Sequence, residues 1–103
     1  MKTAESDALR ACLDYLHLRG HFVFRVNCGA FKTKQGRLVN CTDMLGVADI
    51  IGLTLDGKPL AIECKSNTGK QSEEQELFEK NWVYRHGLYI LARGIDDLKE
   101  AGL

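Results

Sequence analysis

Residues 49–65 of the chain read DIIGLTLDGKPLAIECK, in which two apolar runs lie on either side of an Asp-Gly dipeptide. Asp-Gly between alternating apolar residues is a strong signal for a β-hairpin turn. We therefore predict two antiparallel strands over residues 49–55 and 60–65. The first carries Asp49 at its start, and the second ends in Glu63-Cys64-Lys65.

The length of the hairpin connection decides which side chains share a face of the sheet. A two-residue turn would put Asp49 and Glu63 on opposite faces, because successive side chains in a strand alternate. A three-residue loop 55–57, with Gly57 in the left-handed conformation of a G1 bulge, would place the two carboxylates directly across from each other. We predict this loop, or a bulge of equal effect, because only an odd-numbered connection brings Asp49 to the face that Glu63 and Lys65 share.

Two carboxylates and an ammonium crowded on one face predict a divalent cation and a phosphate substrate. Like charges repel unless a cation offsets them, and Mg²⁺ typically uses one or two protein carboxylates. Lys65 would then orient water or meet charge developing on the phosphate. Simpler alternatives remain open: Asp49 may serve as a turn residue, and Glu63 and Lys65 may form the charged face of an edge strand.

The rest of the chain predicts helices and strands in a mixed order. Ser72 begins a helix with Gln75 at the position that completes a capping box. The segment 28–48 is predicted as a long exposed loop, with a short hairpin around Gln35-Gly36 as an alternative. The remaining elements are a helix over 4–18, a strand over 22–26, a helix over 72–86, a strand over 88–92 and a helix over 95–101. This order predicts an α/β (α+β) fold in which helices flank a mixed β-sheet, in one domain over 1–103.

Composition indicates an intracellular protein without a membrane partner. No apolar run approaches the roughly 20 residues that span a bilayer, and the polar beginning MKTAESDALR does not resemble a signal peptide. We therefore expect a cytoplasmic, reducing location. The cysteines at 12, 28, 41 and 64 match no CxxC pattern, which favours isolated thiols over a zinc site or a disulfide.

The charge distribution predicts contact with a nucleic-acid backbone. The net charge of the chain is zero, yet every charged residue between Leu18 and Thr42 is basic. One positive face on a neutral domain can bind phosphates without reading bases. A solvated loop with a chance run of bases is the alternative. The candidate DNA-binding residues are Arg25, Asn27, Lys32, Lys34, Arg37 and Lys70.

The ordered motifs resemble a known nuclease family. Gly46-Val47-Ala48-Asp49, then Glu63-Cys64-Lys65, then Ser72-x-x-Gln75-x-x-Phe78 are similar to the VRR-NUC branch of the PD-(D/E)XK nuclease superfamily. Residues 25–29 and Gly36-Arg37 resemble an earlier segment of that branch, so the likeness covers nearly the whole chain. One departure is Ala48, where the branch usually has proline.

The resemblance implies a restriction-endonuclease-like fold and a Mg²⁺- or Mn²⁺-dependent DNA endonuclease. It implies branched, Holliday-junction-like or otherwise structured DNA as substrate, and a homodimer. Asp49, Glu63 and the main-chain carbonyl of Cys64 would hold the metal. Glu5 would join them directly or through a bound water, Lys65 would act on water or phosphate, and Gln75 would line the site.

Other interpretations of the same residues stay open. Glu5 lies in the first turn of a helix, where the helix dipole favours an acid in any case. Gln75 may only cap its helix. A catalytically inactive nucleic-acid-binding module of the same fold is the alternative function, and an interaction protein with no nucleic-acid role is a second rival.

Overall fold

The structure is a computed structural model that describes residues 3–26, 30–40 and 44–103, with side chains at all of these except 30–32 and 38–40. Nine elements follow one another in the described residues: α1 (Ala4–Leu18), β1 (Phe22–Arg25), β2 (Ala30–Lys32), β3 (Leu38–Asn40), β4 (Ile50–Leu53), β5 (Pro59–Cys64), α2 (Glu73–Tyr84), β6 (Leu88–Ala92) and α3 (Ile95–Glu100).

The main sheet has four strands in the order β1-β4-β5-β6. β1 and β5 pair antiparallel with β4, whereas β5 and β6 run parallel with α2 between them in sequence. The predicted mixed sheet with flanking helices is therefore confirmed, and it is compatible with a restriction-endonuclease-like fold.

The hairpin between β4 and β5 has the predicted three-residue loop. Thr54 donates its N–H to the carbonyl of Lys58 at 2.8 Å, and residues 55–57 form the connection between them. Gly57 has a φ of 88°, the left-handed conformation of a G1 bulge. Ile50 pairs with Ile62, so the next position along each strand sets Asp49 opposite Glu63.

Two apolar clusters cover the two faces of this sheet. On one face, Cys12 and Leu16 of α1 and Leu98 of α3 pack against buried residues of the central strands. On the other face, Phe78 of α2 packs with Ala61 of β5. Because side chains alternate along each strand, Asp49 and Glu63 lie on the face that α2 covers.

Both long helices begin with a reciprocal capping box. The Thr3 hydroxyl accepts the N–H of Ser6, and the Ser6 hydroxyl accepts the N–H of Thr3. At α2, Ser72 and Gln75 bond in the same reciprocal way, as the sequence predicts. No helix in the described ranges is long and apolar enough to cross a membrane.

The segment predicted mainly as a long loop contains a hairpin instead. β2 and β3 pair antiparallel, and residues 34–36 join them in the same loop geometry as the β4–β5 hairpin. Thr33 accepts the N–H of Arg37 through Oγ1, just as Thr54 accepts that of Lys58. The alternative of a hairpin around Gln35-Gly36 is therefore confirmed.

Gly46 and Gly36 provide a matched test of close packing, because both have a φ of 79°. A Cβ on Gly46 would lie 2.3 Å from the Glu74 carbonyl oxygen, whereas one on Gly36 would meet nothing within 4 Å. We expect Gly36→Ala to lower the free energy of unfolding by about 1 kcal/mol, the cost of a left-handed backbone. Gly46→Ala should cost about 2 kcal/mol more, since the loop must move from α2.

Urea denaturation followed by far-ultraviolet circular dichroism measures both variants against the wild type. Equal losses for the two alanines would contradict the contact between the Gly46 turn and α2.

Candidate metal centre

The position of Asp49 is fixed by a hydrogen bond from β5, the second strand of the hairpin. It directly precedes β4, and its Oδ2 accepts the N–H of Cys64 at 2.8 Å. Its own carbonyl accepts the N–H of Val26 at 2.8 Å, which ties the end of β1 to the same point. Ala48 is fully buried and packs in the same cluster as Phe78. The carboxylate is thereby held toward β5.

Glu63 is a buried carboxylate on the central strand β5. Only 2% of the residue is exposed. Burial, followed by the charge of Asp49, raises the pKa of Glu63 to about 8, while Lys65 acts in the opposite direction. Its Oε1 has no hydrogen-bond partner among the described residues. A buried oxygen without a partner carries a desolvation cost that a bound cation would offset.

Glu5 completes a cluster of three carboxylates. One ligand oxygen each from Glu5, Asp49 and Glu63 lies within 4.8 Å of the others. Glu5 belongs to the first turn of α1, which packs on the opposite face of the sheet. The cluster therefore forms at the end of the sheet, where this turn reaches the two strand residues.

Lys65 and Gln75 both hold the same oxygen of Glu63. The Lys65 Nζ lies 3.7 Å from Glu63 Oε2, and the Gln75 Nε2 donates to that oxygen at 3.1 Å. Gln75 also accepts the N–H of Ser72 through Oε1 at 2.9 Å. The capping role and the site role of Gln75, considered as alternatives from sequence, therefore occur together in one side chain.

The main chain of Cys64 also points to the cluster. In an antiparallel ladder a residue directs its N–H and C=O to the same neighbour. Because the Cys64 N–H meets Asp49, its carbonyl lies toward the same side. The Cys64 thiol lies on the other face, buried in the same cluster as Cys12. The Cys12 thiol and burial raise the pKa of Cys64.

Cys12 and Cys64 are both free and buried, and they belong to the same apolar cluster. Cys28 and Cys41 lie outside the described residues.

The candidate DNA-binding residues that the structure describes are all exposed. Arg25 is exposed at the end of β1, on the face that Val23 shares. Lys34 and Arg37 are exposed at the turn of the β2–β3 hairpin. Lys70 is exposed between Lys65 and α2. Asn27 and the side chain of Lys32 lie outside the description.

Sequence reasoning missed a polar network beside the carboxylates. Gln71 Nε2 donates to Glu79 Oε1 at 3.0 Å and to the Tyr89 hydroxyl at 3.1 Å. Burial raises the pKa of Tyr89 to about 12, so its hydroxyl stays neutral. Tyr89 pairs with Ala61 two residues from Glu63, on the same face. Strand alternation was the only signal that could have placed it there.

The donor set fits a hard divalent cation such as Mg²⁺ or Mn²⁺. Carboxylate oxygens are the protein ligands these ions prefer. Glu5, Asp49 and Glu63 supply such oxygens from three separate parts of the chain, and Oε1 of Glu63, which none of the described residues binds, can serve as a ligand atom. The arrangement allows a cation to be held while Lys65 stays beside it.

Comparison of the chain with family models, with curated proteins and with solved structures found no match. The family resemblance therefore stays a prediction that rests on the motifs.

Metal binding and pH should be linked through Glu63. Between the ordinary pKa of 4.5 and the raised value of about 8, the folded chain holds a proton that the unfolded chain has released. Stability without metal should therefore fall as pH rises through this window. Metal competes with that proton, so the melting temperature should rise more on adding Mn²⁺ at pH 8 than at pH 6.

Thermal melts across this pH range, with and without Mn²⁺, check both expectations. Glu63→Gln should remove most of the pH dependence and of the metal effect. An unchanged metal shift in that variant would show that the ion binds elsewhere.

Proposed function

We propose that the protein is a metal-dependent DNA endonuclease that hydrolyses phosphodiester bonds in branched or otherwise structured DNA. The observation that carries the proposal is the convergence of Glu5, Asp49 and Glu63 within 4.8 Å, with Lys65 beside Glu63. The motif order of the sequence supports the same reaction.

At this centre one group of residues would hold the metal and Lys65 would act on water or phosphate. Glu5, Asp49, Glu63 and the carbonyl of Cys64 would hold Mg²⁺ or Mn²⁺. A bound cation supplies Lewis-acid chemistry, since it polarises a phosphoryl oxygen and lowers the pKa of water. Lys65 would position the attacking water or stabilise charge on the phosphate.

The reaction is hydrolysis of an ester. The oxygen of water forms a bond to phosphorus, one phosphorus–oxygen ester bond breaks, and the leaving oxygen takes up a proton. Gln75 would keep Glu63 oriented throughout, because it already holds Oε2 from the start of α2.

DNA would be bound by its backbone along the basic residues. Arg25, Lys34, Arg37 and Lys70 are exposed, and phosphate contacts of this kind carry no sequence information. Selectivity for branches would then come from the shape of the DNA. A reducing cytoplasm suits this proposal, since Cys12 and Cys64 are free thiols.

Lys65→Ala should abolish most cleavage while leaving metal and DNA binding nearly intact, because the proposed role of the amine lies in the transition state. We expect a loss of at least about 100-fold in turnover, typical of removing one electrostatic stabiliser. Single-turnover cleavage of flapped, four-way and linear DNA with Mg²⁺ or Mn²⁺ measures it.

Lys58→Ala is the matched control, because Lys58 is exposed at the opposite end of the β4–β5 hairpin. It should cleave like the wild type. Wild-type protein that binds these DNAs without cutting any of them would instead favour the inactive binding module.

Lys34→Ala and Arg37→Ala should each weaken DNA binding and reduce the dependence of log Kd on log salt by about 1, the effect of losing one phosphate contact. Fluorescence anisotropy at several salt concentrations measures this slope. Lys99→Ala, at an exposed position of α3, serves as the control for a lost positive charge. If log Kd depends equally on log salt in all three variants, the β2–β3 hairpin does not contact the DNA backbone.

A further inference from the structure

Arg93 directly follows β6 and lies beside the candidate metal centre. β5 and β6 run parallel with Cys64 opposite Ala92, and the Lys65 N–H donates to the Ala92 carbonyl at 3.0 Å. This bond extends the ladder by one residue, so Lys65 and Arg93 are neighbours across it. Ala92 packs in the cluster on the α1 face. Alternation therefore turns Arg93 to the face that carries Glu63 and Lys65.

The guanidinium of Arg93 holds the loop that follows Lys65. Its Nη1 donates to the carbonyl of Gly69 at 2.9 Å and also to the carbonyl of Ser66. Gly69 in turn lies against the Lys65 side chain, because a Cβ added to it would be 3.4 Å from Lys65 Cδ. Arg93 is thus held in one place beside Lys65, although no motif of the sequence singles it out.

One edge of this guanidinium is available to a ligand. Arg93 is exposed, both of its side-chain bonds use Nη1, and none of the described residues bonds to Nε or Nη2. Asp97 lies close by, yet it accepts the main-chain N–H of Arg93 at 2.7 Å and forms no ion pair with the guanidinium. A guanidinium edge with two N–H donors matches two oxygens of one phosphate group.

The charges around Arg93 favour a nucleic-acid backbone as that ligand. Lys70 is exposed directly after the loop, and residues 66–69 carry no charged side chain. Lys65 pairs with Glu63, whereas Arg93 and Lys70 have no ion pair among the described residues. A nucleic-acid strand carries one negative charge per nucleotide and can offset several neighbouring cations at once.

We propose that Arg93 binds a phosphate of the DNA backbone through its Nε–Nη2 edge, beside the phosphate that Lys65 meets. The inference rests on the proposed function, which makes DNA the ligand. The carbonyls of Ser66 and Gly69 fix the guanidinium before DNA arrives, so less side-chain freedom is lost on binding. The contact reads no base, and it holds the strand at the metal centre.

Fluorescence anisotropy of flapped DNA in EDTA measures this contact without metal-dependent cleavage. Arg93→Ala should raise Kd at least about tenfold, because a charge-assisted bond is lost. It should also reduce the dependence of log Kd on log salt by about 1, the effect of one lost phosphate contact. Arg93→Lys keeps the charge but not the fork, so it should raise Kd less and keep the wild-type salt dependence.

Arg85→Ala is the matched control. Arg85 is also exposed and also donates two bonds through Nη1, both to Asn81, but it follows the last residue of α2, far from the Gln75 end. It should leave Kd and the salt dependence unchanged. Circular dichroism checks that every variant folds.

DNA with single uncharged methylphosphonates locates the contacted phosphate. At one position the substitution should weaken binding to the wild type and have no further effect on Arg93→Ala, because both changes remove the same contact. If Arg93 only held the loop, Arg93→Ala would lower cleavage and leave the salt dependence of binding unchanged, which would overturn the proposal. An equal loss of salt dependence in Arg85→Ala, or no shared methylphosphonate position, would overturn it as well.

The phosphate contact and the nuclease reaction can fail separately. Wild-type protein that shows the Arg93 effects in EDTA but cuts no DNA with Mg²⁺ or Mn²⁺ would support the contact and refute the reaction. Metal-dependent cleavage together with unchanged salt dependence in Arg93→Ala would support the reaction and refute the contact.

Discussion

The whole arrangement depends on the parity of one hairpin. Because the β4–β5 connection has three residues, Asp49 and Glu63 share a face; a connection one residue shorter would separate them. The bond from the Cys64 N–H to Asp49 Oδ2 continues the ladder past the last paired residues and locks this alignment. The three-carboxylate cluster with Glu5 can form only because these two carboxylates already lie opposite each other.

The cluster is kept at a cost to the fold. Glu63 is almost completely buried, and one of its oxygens has no partner among the described residues, although the other is held by both Lys65 and Gln75. An apolar residue at this place on β5 would pack more easily against Ala61 and Tyr89. A carboxylate in such surroundings is more easily explained by a ligand than by stability.

Local patterns predict much of this structure. The bounds of α1 and β6 agree with the helix and strand expected from periodicity, and the loop parity follows from requiring Asp49 opposite Glu63. Sequence could not show that Glu5 reaches the cluster from a helix on the other face, because that distance depends on how α1 packs. The sequence also left open whether Gln75 caps α2 or contacts Glu63, because a glutamine at this position is compatible with both roles.

The double bonding of Gln75 has an effect beyond orientation. Its amide oxygen closes the first turn of α2, and its amide nitrogen holds a carboxylate on β5. Fraying of that turn therefore also breaks the bond from Gln75 to Glu63 and leaves only Lys65 beside that oxygen, so the order of the cluster is coupled to the helix end. Hydrogen exchange of the Ser72 amide, which donates to Gln75, would thus report on how well the carboxylates are ordered. A cation bound by the carboxylates would slow this exchange, although it would not contact the start of α2 itself.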